Sequence, residues 1–299
     1  MTYDVLIIGS GPAGLSAAVY AKRAQMKAAV IEKEFMGTGQ IALTDEIDNY
    51  LGLPGISGYD MGEAFRGHAE KLGVEFIDGE VIGVAKDGGL FTVSLGDGTA
   101  LESRTVIYAA GAEHRKLGVA GDDLPGVSYC AVCDGSFHRG KTVAVAGGGD
   151  TALGDALYLT KLCEKVYLIH RRDEFRANKT VQEKVRECEK IELVLSAKVK
   201  EIRGSSKVES IVVDQGGSER ELAVSGVFTA IGSVPNTAVL EGLCELEGGY
   251  IKAGEDGRTS CEGLFAAGDV RTKSLRQIVT AVSDGANCVD SVEKYLLGE

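Results

Sequence analysis

The sequence predicts an α/β fold of two Rossmann-like, three-layer nucleotide-binding domains, each with a small β-meander, the second inserted into the first. Three observations carry that expectation. An apolar strand followed by a glycine loop and a helix occurs twice, with the loops at Gly9–Gly14 and Gly147–Ala152. The spacing inside the two copies is the same, since Glu32 lies 23 positions after Gly9 and His170 lies 23 positions after Gly147. A further strand, ending in Gly268 and Asp269, has no counterpart in the second copy and needs a place in the first.

The first copy opens on Asp4–Ile8, a near-continuous apolar run such as a parallel strand buried on both faces requires. Gly9, Gly11, Pro12, Ala13 and Gly14 form the loop, Leu15–Ala21 is a good helix former, and Ala28–Glu32 returns as a second strand. In such a βαβ unit the glycines let the backbone approach a pyrophosphate, the helix N-terminus offers N–H donors, and an acid ending the second strand accepts ribose hydroxyls. Glu32 fills that last place, so a dinucleotide is expected here. Alternating segments at Val81–Val84 and Phe91–Leu95, with turns at Gly88-Gly89 and Asp97-Gly98, read as a meander. The strand Thr105–Ala110 then runs into Gly111.

Between the copies stands Cys130-Ala131-Val132-Cys133-Asp134-Gly135. A Cys-x-x-Cys brings two sulfurs within bonding range, and such pairs commonly hold one thiol suited to exchange. Half of a zinc site and an inert disulfide are the competing readings. Structural zinc needs four ligands, and no second Cys-x-x-Cys or closely spaced Cys/His pair exists. Asp134 is placed either to protonate a departing thiolate or to cap the turn before Gly135.

In the second copy, Thr142–Ala146 leads into Gly147, Gly148, Gly149, Asp150 and Thr151, then an alanine-rich helix and the strand Lys165–Ile169. The acid is gone. His170, Arg171, Arg172 and Arg176 stand in its place, and an arginine fork suits a 2′-phosphate that an acid would repel. NADPH is therefore expected at this copy. A hydride donor and a disulfide need a mediator, and FAD at the first copy fits that need. A second meander spans Val199–Ile202 and Ser210–Val213, and Val227–Ala230 closes the copy at Ile231 and Gly232. Returning the Gly263–Val270 strand to the first domain gives a discontinuous FAD-binding domain, 1–114 and 243–299, and an NADPH-binding domain, 115–242. Asp269 would then meet the ribityl or phosphate region of the first cofactor.

Composition narrows the partners. The net charge of -12 opposes binding to nucleic acid or an anionic membrane. No apolar run approaches the roughly 20 residues of a membrane span, and no cleavable signal pattern opens the chain, so a cytoplasmic location is expected. The other five of the seven cysteines are scattered, unlike a secreted disulfide framework.

With these motifs in hand, the chain resembles the bacterial low-molecular-weight thioredoxin reductases along essentially its whole length. The resemblance rests on both glycine loops, Gly39-Gln40-Ile41, Cys130–Gly135, His170–Arg172 with Arg176, Ala230–Asn236, Gly268–Val270 and Arg276–Ala281. It implies that Gly39, Gln40, Asn49, Gly111, Asp269, Arg276, Gln277 and Ile278 join the FAD site, and Ile231 and Gly232 the NADPH site. It further implies that Cys133 lies next to the flavin, that Cys130 attacks the disulfide of thioredoxin, and that Asp134 is the acid/base. A homodimer whose domains rotate during turnover is also implied. Gly154-Asp155 departs from the paired glutamates of many members, and His138 stands where a second aromatic is common. Relatives fed by ferredoxin, a flavin dithiol oxidase and a flavin-bound redox sensor are the alternatives on the same scaffold.

Overall fold

The computed structural model describes residues 2–34, 37–44 and 46–298. The chain forms two compact units, Met1–Glu113 with Val234–Glu299, and His114–Ser233.

The first unit begins with β1 (Thr2–Ile8), α1 (Pro12–Arg23), β2 (Ala28–Glu32), α2 (Gly58–Lys71) and β3 (Glu75–Asp78). The meander β4 (Val81–Asp87) and β5 (Leu90–Leu95) leads into β6 (Ala100–Tyr108). β1 pairs in parallel with β2 on one side, Ile7 opposite Val30, and with β6 on the other, Ile7 opposite Ile107. Side chains alternate across a strand, which assigns the two cores. Val5 and Ile7 pack on Leu15 and Ala18 of α1, whereas Leu6 and Ile8 pack with Phe91 and Val93 of the meander. Pro12 sits in the first turn of α1, where its missing N–H costs no helical bond.

Beyond β7 (Ala112–His114) the second unit repeats the plan with β8 (Val127–Ser128), α3 (Ala131–Asp134), β9 (Thr142–Gly147), α4 (Asp150–Leu159), β10 (Lys165–Ile169), α5 (Lys179–Glu187) and β11 (Ile191–Val194). Its meander is β12 (Ala197–Arg203), β13 (Ser210–Gln215) and β14 (Ser218–Ala223), followed by β15 (Val227–Ala230). The five-stranded sheet runs β11, β10, β9, β15, β8, and the meander forms a separate antiparallel sheet. Val143 and Val145 face α4, while Ala144 faces the meander, so the duplication extends to the direction of single side chains.

The chain returns through β16 (Ser233–Pro235), which pairs with β7, and a short hairpin of β17 (Leu246–Glu247) and β18 (Tyr250–Ile251). β19 (Leu264–Ala266) then adds to the first sheet parallel to β6, Leu264 opposite Val106, and α6 (Ile278–Leu297) covers α1. The return falls between Ser233 and Val234, earlier than the expected 242. Asn236 accounts for the shift. Its backbone N–H donates to Gly111 O at 3.0 Å and its Nδ2 to Ala110 O at 3.0 Å, while Tyr108 Oη donates to its carbonyl at 2.7 Å. Four residues on, Leu240 is fully buried in the first core.

Candidate functional site

In the second unit, Cys130 and Cys133 form a disulfide across a Cα–Cα distance of 5.3 Å. Cys130 is the N-cap of α3, and its sulfur accepts the N–H of Cys133 at 3.2 Å. The turn is tied together by a residue the motif does not include. Ser128, buried at the end of β8, accepts the N–H of Cys130 at 3.0 Å and donates its single proton to Asp134 Oδ2 at 2.6 Å. Asp134 N–H in turn donates to Cys130 O at 3.1 Å. The Asp134 carboxylate is thus part of the turn's own hydrogen bonding. Sequence reasoning missed Ser128, although its position two residues before Cys130 was open to inspection.

His138 belongs to the packing beneath. Its buried ring lies edge-on to Phe228 with centroids 5.5 Å apart, and Nδ1 meets Ser225 Oγ at 3.0 Å. Burial first, and the charge of Lys141 second, press its pKa below the ordinary value.

The second glycine loop follows β9, and a Cβ on Gly147 would run into Ala230 O and Ala152. Gly149 borders open space and caps α4, whose first residues are Asp150 and Thr151. Asp150 Oδ1 accepts the N–H of Asn178 at 2.8 Å. The His170 ring packs flat on Gly148 and stacks on Phe175 at 5.6 Å. Burial above all, with the charges of Arg171, Arg172 and Arg176, lowers its pKa against the opposing effect of a hydrogen bond to the backbone at Glu174. Those three arginines are exposed and make no ion pair among the described residues. Arg176 N–H donates to Gly148 O at 2.9 Å, which docks the arginine segment on the loop. Ile231 is exposed, and Gly232 has a φ of 107°.

Redox pair and glycine loop share one edge of the sheet. β8 and β9 flank β15 in parallel, with Ser128 level with Phe228 and Phe228 level with Val145. Cys130 therefore lies two residues past the carboxyl end of β8 and Gly147 at the carboxyl end of β9, about 10 Å apart by two strand spacings. Such an edge is where ligands bind in open α/β sheets.

The first unit gathers its expected residues into one cradle. Gly9 has a φ of 99°, and a Cβ there would sit 2.6 Å from Ala109 O, a place only glycine fills. A Cβ on Gly14 would strike Gly9 O, so α1 begins hard against the loop. Glu32 Oε2 accepts from Ser10 N–H at 2.9 Å and Ser10 Oγ at 2.7 Å, locking the strand-end acid to that loop. Gly39 approaches Gly11, Gln40 Nε2 donates to Ala112 O, and Asn49 Nδ2 donates to Gln277 Oε1 at 2.9 Å. Ile278, at the start of α6, packs with Ile41. Gly111 has a φ of 68°, and the Arg276 guanidinium lies 4.2 Å from the Tyr250 ring centre. The Gly268–Val270 turn rests against Ala13, which carries Asp269 to the loop.

Both cradles fit a bound nucleotide by the same sign. Four buried side-chain atoms have no hydrogen-bond partner among the described residues, and three of them, Asp269 Oδ1, His170 Nε2 and Thr229 Oγ1, sit on the turns and strands of these cradles. Burial raises the pKa of Asp269, opposed by the charges of Lys273 and Arg276. A buried polar atom without a partner is costly, and a ligand hydroxyl or amide would relieve it.

The sequence model of the pyridine nucleotide-disulphide oxidoreductases matches residues 3–285. The chain is 43% identical over 301 residues to the thioredoxin reductase of Bacillus subtilis (strain 168), covering 98% of this chain and 95% of that one. It is also 43% identical to the thioredoxin reductase of Treponema pallidum (strain Nichols), covering 98% and 97%. Among solved structures, thioredoxin reductase from Streptococcus pyogenes MGAS5005 superposes with a TM-score of 0.93 at 41% identity, over 100% of this chain and 99% of that one.

Proposed function

The chain belongs to the thioredoxin reductases of the pyridine nucleotide-disulphide oxidoreductase family, and on that premise we propose that it carries electrons from NADPH, through FAD, to the disulfide of thioredoxin by way of Cys130 and Cys133. The family implies a flavin and a nicotinamide cofactor. The observation that carries the finer reading is the Cys130–Cys133 disulfide, with Asp134 held beside it, on the same sheet edge as a glycine loop flanked by arginines.

FAD is assigned to the first cradle, with its pyrophosphate at Gly9–Gly14 and the N-terminus of α1, a ribose at Glu32, and Asp269 with Gln40, Asn49 and Gln277 lining the rest. NADPH is assigned to the second, its 2′-phosphate held by Arg171, Arg172 and Arg176. A bound flavin supplies the two-electron relay between a hydride donor and a disulfide.

The residues of the chain manage sulfur and protons. Two electrons break the Cys130–Cys133 bond and leave two thiolates, and Asp134, which draws a proton from solvent, passes it to the thiolate that departs from thioredoxin in the next step. Cys130 attacks one sulfur of the thioredoxin disulfide and releases the other as a thiolate, forming a mixed disulfide. Cys133 then attacks Cys130, which re-forms the pair and frees reduced thioredoxin. Ser128 keeps the Asp134 carboxylate oriented throughout. The His170 Nε2, buried without a partner among the described residues, is a hydrogen-bonding group for the nucleotide.

A homodimer and a cytoplasmic location are part of the same proposal, and no helix among the described residues is long and apolar enough to cross a membrane. The test is an anaerobic titration of the purified protein with NADPH, NADH and reduced ferredoxin in turn, followed by oxidised thioredoxin. NADPH should bleach the flavin at stoichiometric concentration, and thioredoxin should restore the colour. Bleaching by reduced ferredoxin alone would overturn the choice of donor, and failure of thioredoxin to reoxidise the flavin would overturn the choice of acceptor.

A further inference from the structure

A carboxylate that lies outside every motif accepts as many hydrogen bonds as Glu32 does. Asp284, in the second turn of α6, is 2% exposed and accepts four hydrogen bonds. Gly268 N–H donates to Oδ2 at 2.8 Å, Arg271 Nε to Oδ2 at 2.9 Å, Lys273 Nζ to Oδ2 at 2.8 Å, and Arg271 Nη2 to Oδ1 at 2.7 Å. Arg271 is equally buried at 2%, and the same Nη2 that donates to Asp284 also reaches Glu255 Oε1 at 3.1 Å. Burying an ion pair gives little net stability relative to apolar side chains of the same volume. Such a cluster is better explained by what it holds in place.

Two things are held. Gly268 opens the turn Gly268–Val270 in a left-handed conformation, φ 79°, and its N–H is fixed by Asp284. The next residue along α6, Gly285, touches α1 so closely that a Cβ would strike Ala13 O. Adjacent positions of one helix thus set both the Asp269 turn and the helix that opens from the first glycine loop. Arg271 extends the grip past the turn, because its own backbone carbonyl accepts Arg276 Nη2 at 3.3 Å.

We infer that Asp284 is a positioning residue for the flavin: anchored by Arg271 and Lys273, its carboxylate holds the Gly268 N–H and so aims Asp269 into the first cradle. The inference rests on the proposal that the first cradle takes FAD and that Asp269 meets it. Asp284 touches no ligand itself. It acts through the turn.

Two double variants of the full chain separate this role from the removal of a buried charge. Arg271→Met with Asp284→Asn takes away the guanidinium but keeps an oxygen for Gly268 N–H. Arg271→Met with Asp284→Leu takes away both. Neither strands the Arg271 charge, but Lys273, 5% exposed, loses its charged partner in both, so far-UV circular dichroism and melting of the FAD-free proteins first establish that each folds.

FAD affinity is then read by fluorescence titration of the FAD-free proteins. The Leu variant should bind FAD about tenfold more weakly than the Asn variant, the worth of one buried donor left unpaired. The Asn variant should stay within a few-fold of the parent chain, with a parent-like flavin absorption spectrum. Equal FAD affinities in the two doubles would overturn the role of Asp284. A parallel Asp269→Ala chain tests the underlying assignment. Unchanged FAD affinity there withdraws the assignment of Asp269 itself, whereas weakened binding there with equal doubles removes only the positioning role.

Discussion

Ser128 Oγ lies 2.6 Å from Asp134 Oδ2, and the same oxygen accepts the N–H of Cys130 at 3.0 Å. One hydroxyl therefore ties the proposed proton donor to the backbone of the proposed attacking cysteine. If Ser128 acts only through Asp134, the two form a unit and their losses do not add. Asp134→Asn should lower the rate of thioredoxin reduction roughly a hundredfold, the lower range for removing a positioned acid. Ser128→Ala should cost less, and the double variant should match Asp134→Asn alone. Steady-state turnover with thioredoxin, beside stopped-flow flavin reduction by NADPH as an unaffected control, decides the point. Additive losses would separate Ser128 from the acid.

The sequence made the repeated elements legible because their signals are local. An apolar strand, a glycine loop and a strand-end acid lie within the 29 residues from Asp4 to Glu32, and Glu32 and His170 could be matched by counting. What stayed hidden depends on contacts between distant segments. Asn236 looked like part of the second copy until its bonds to Ala110 and Gly111, more than 120 positions earlier, fixed the return of the chain at Ser233. Asp284 meets Gly268 only because α6 packs back on α1. Ser128 is intermediate: near enough to Cys130 to be seen, but short of significance until the fold turned its hydroxyl toward Asp134.

Coenzyme preference follows from the exposed arginines. Arg171 and Arg172 have no competing ion pair among the described residues, so a 2′-phosphate would be their main anionic partner. Each charge-assisted bond is worth about 1.5–3 kcal/mol. Replacing both by Gln should raise the KM for NADPH by roughly a hundredfold or more and leave that for NADH within a few-fold. An equal rise for both coenzymes would remove these arginines from phosphate recognition.

Asp155, on α4, gives a pH-dependent prediction. Burial pushes its pKa from 3.8 up to about 6. The folded chain therefore holds this proton over a range where the unfolded chain has lost it, so stability falls as pH rises from about 4 to 6 and is level above that. After discounting for its partial exposure, the cost of ionisation is about 2 kcal/mol above pH 7. Asp155→Asn removes that cost. The variant should melt a few degrees above the parent at pH 8, with the difference shrinking at pH 5. A gain that is the same at both pH values would assign the effect to something other than ionisation.

The two glycine loops differ in how much room they leave, which allows flavin and nucleotide binding to be separated. At Gly14 a Cβ meets the carbonyl of Gly9, a backbone atom that cannot swing aside. Gly14→Ala must push α1 away from the end of β1, and the N–H groups at the helix start then lose their aim at a pyrophosphate. The protein should emerge from purification nearly colourless, with FAD affinity reduced at least about a hundredfold, since several charge-assisted bonds of about 1.5–3 kcal/mol are misaligned together. At Gly149 a Cβ meets nothing within 4 Å. Gly149→Ala should therefore fold and hold its flavin as the parent does, while the new methyl, projecting where a nucleotide would lie, weakens NADPH binding. Flavin content by absorbance and NADPH affinity by titration give opposite patterns for the two variants. A yellow Gly14→Ala protein with parent-like FAD affinity would place the flavin elsewhere.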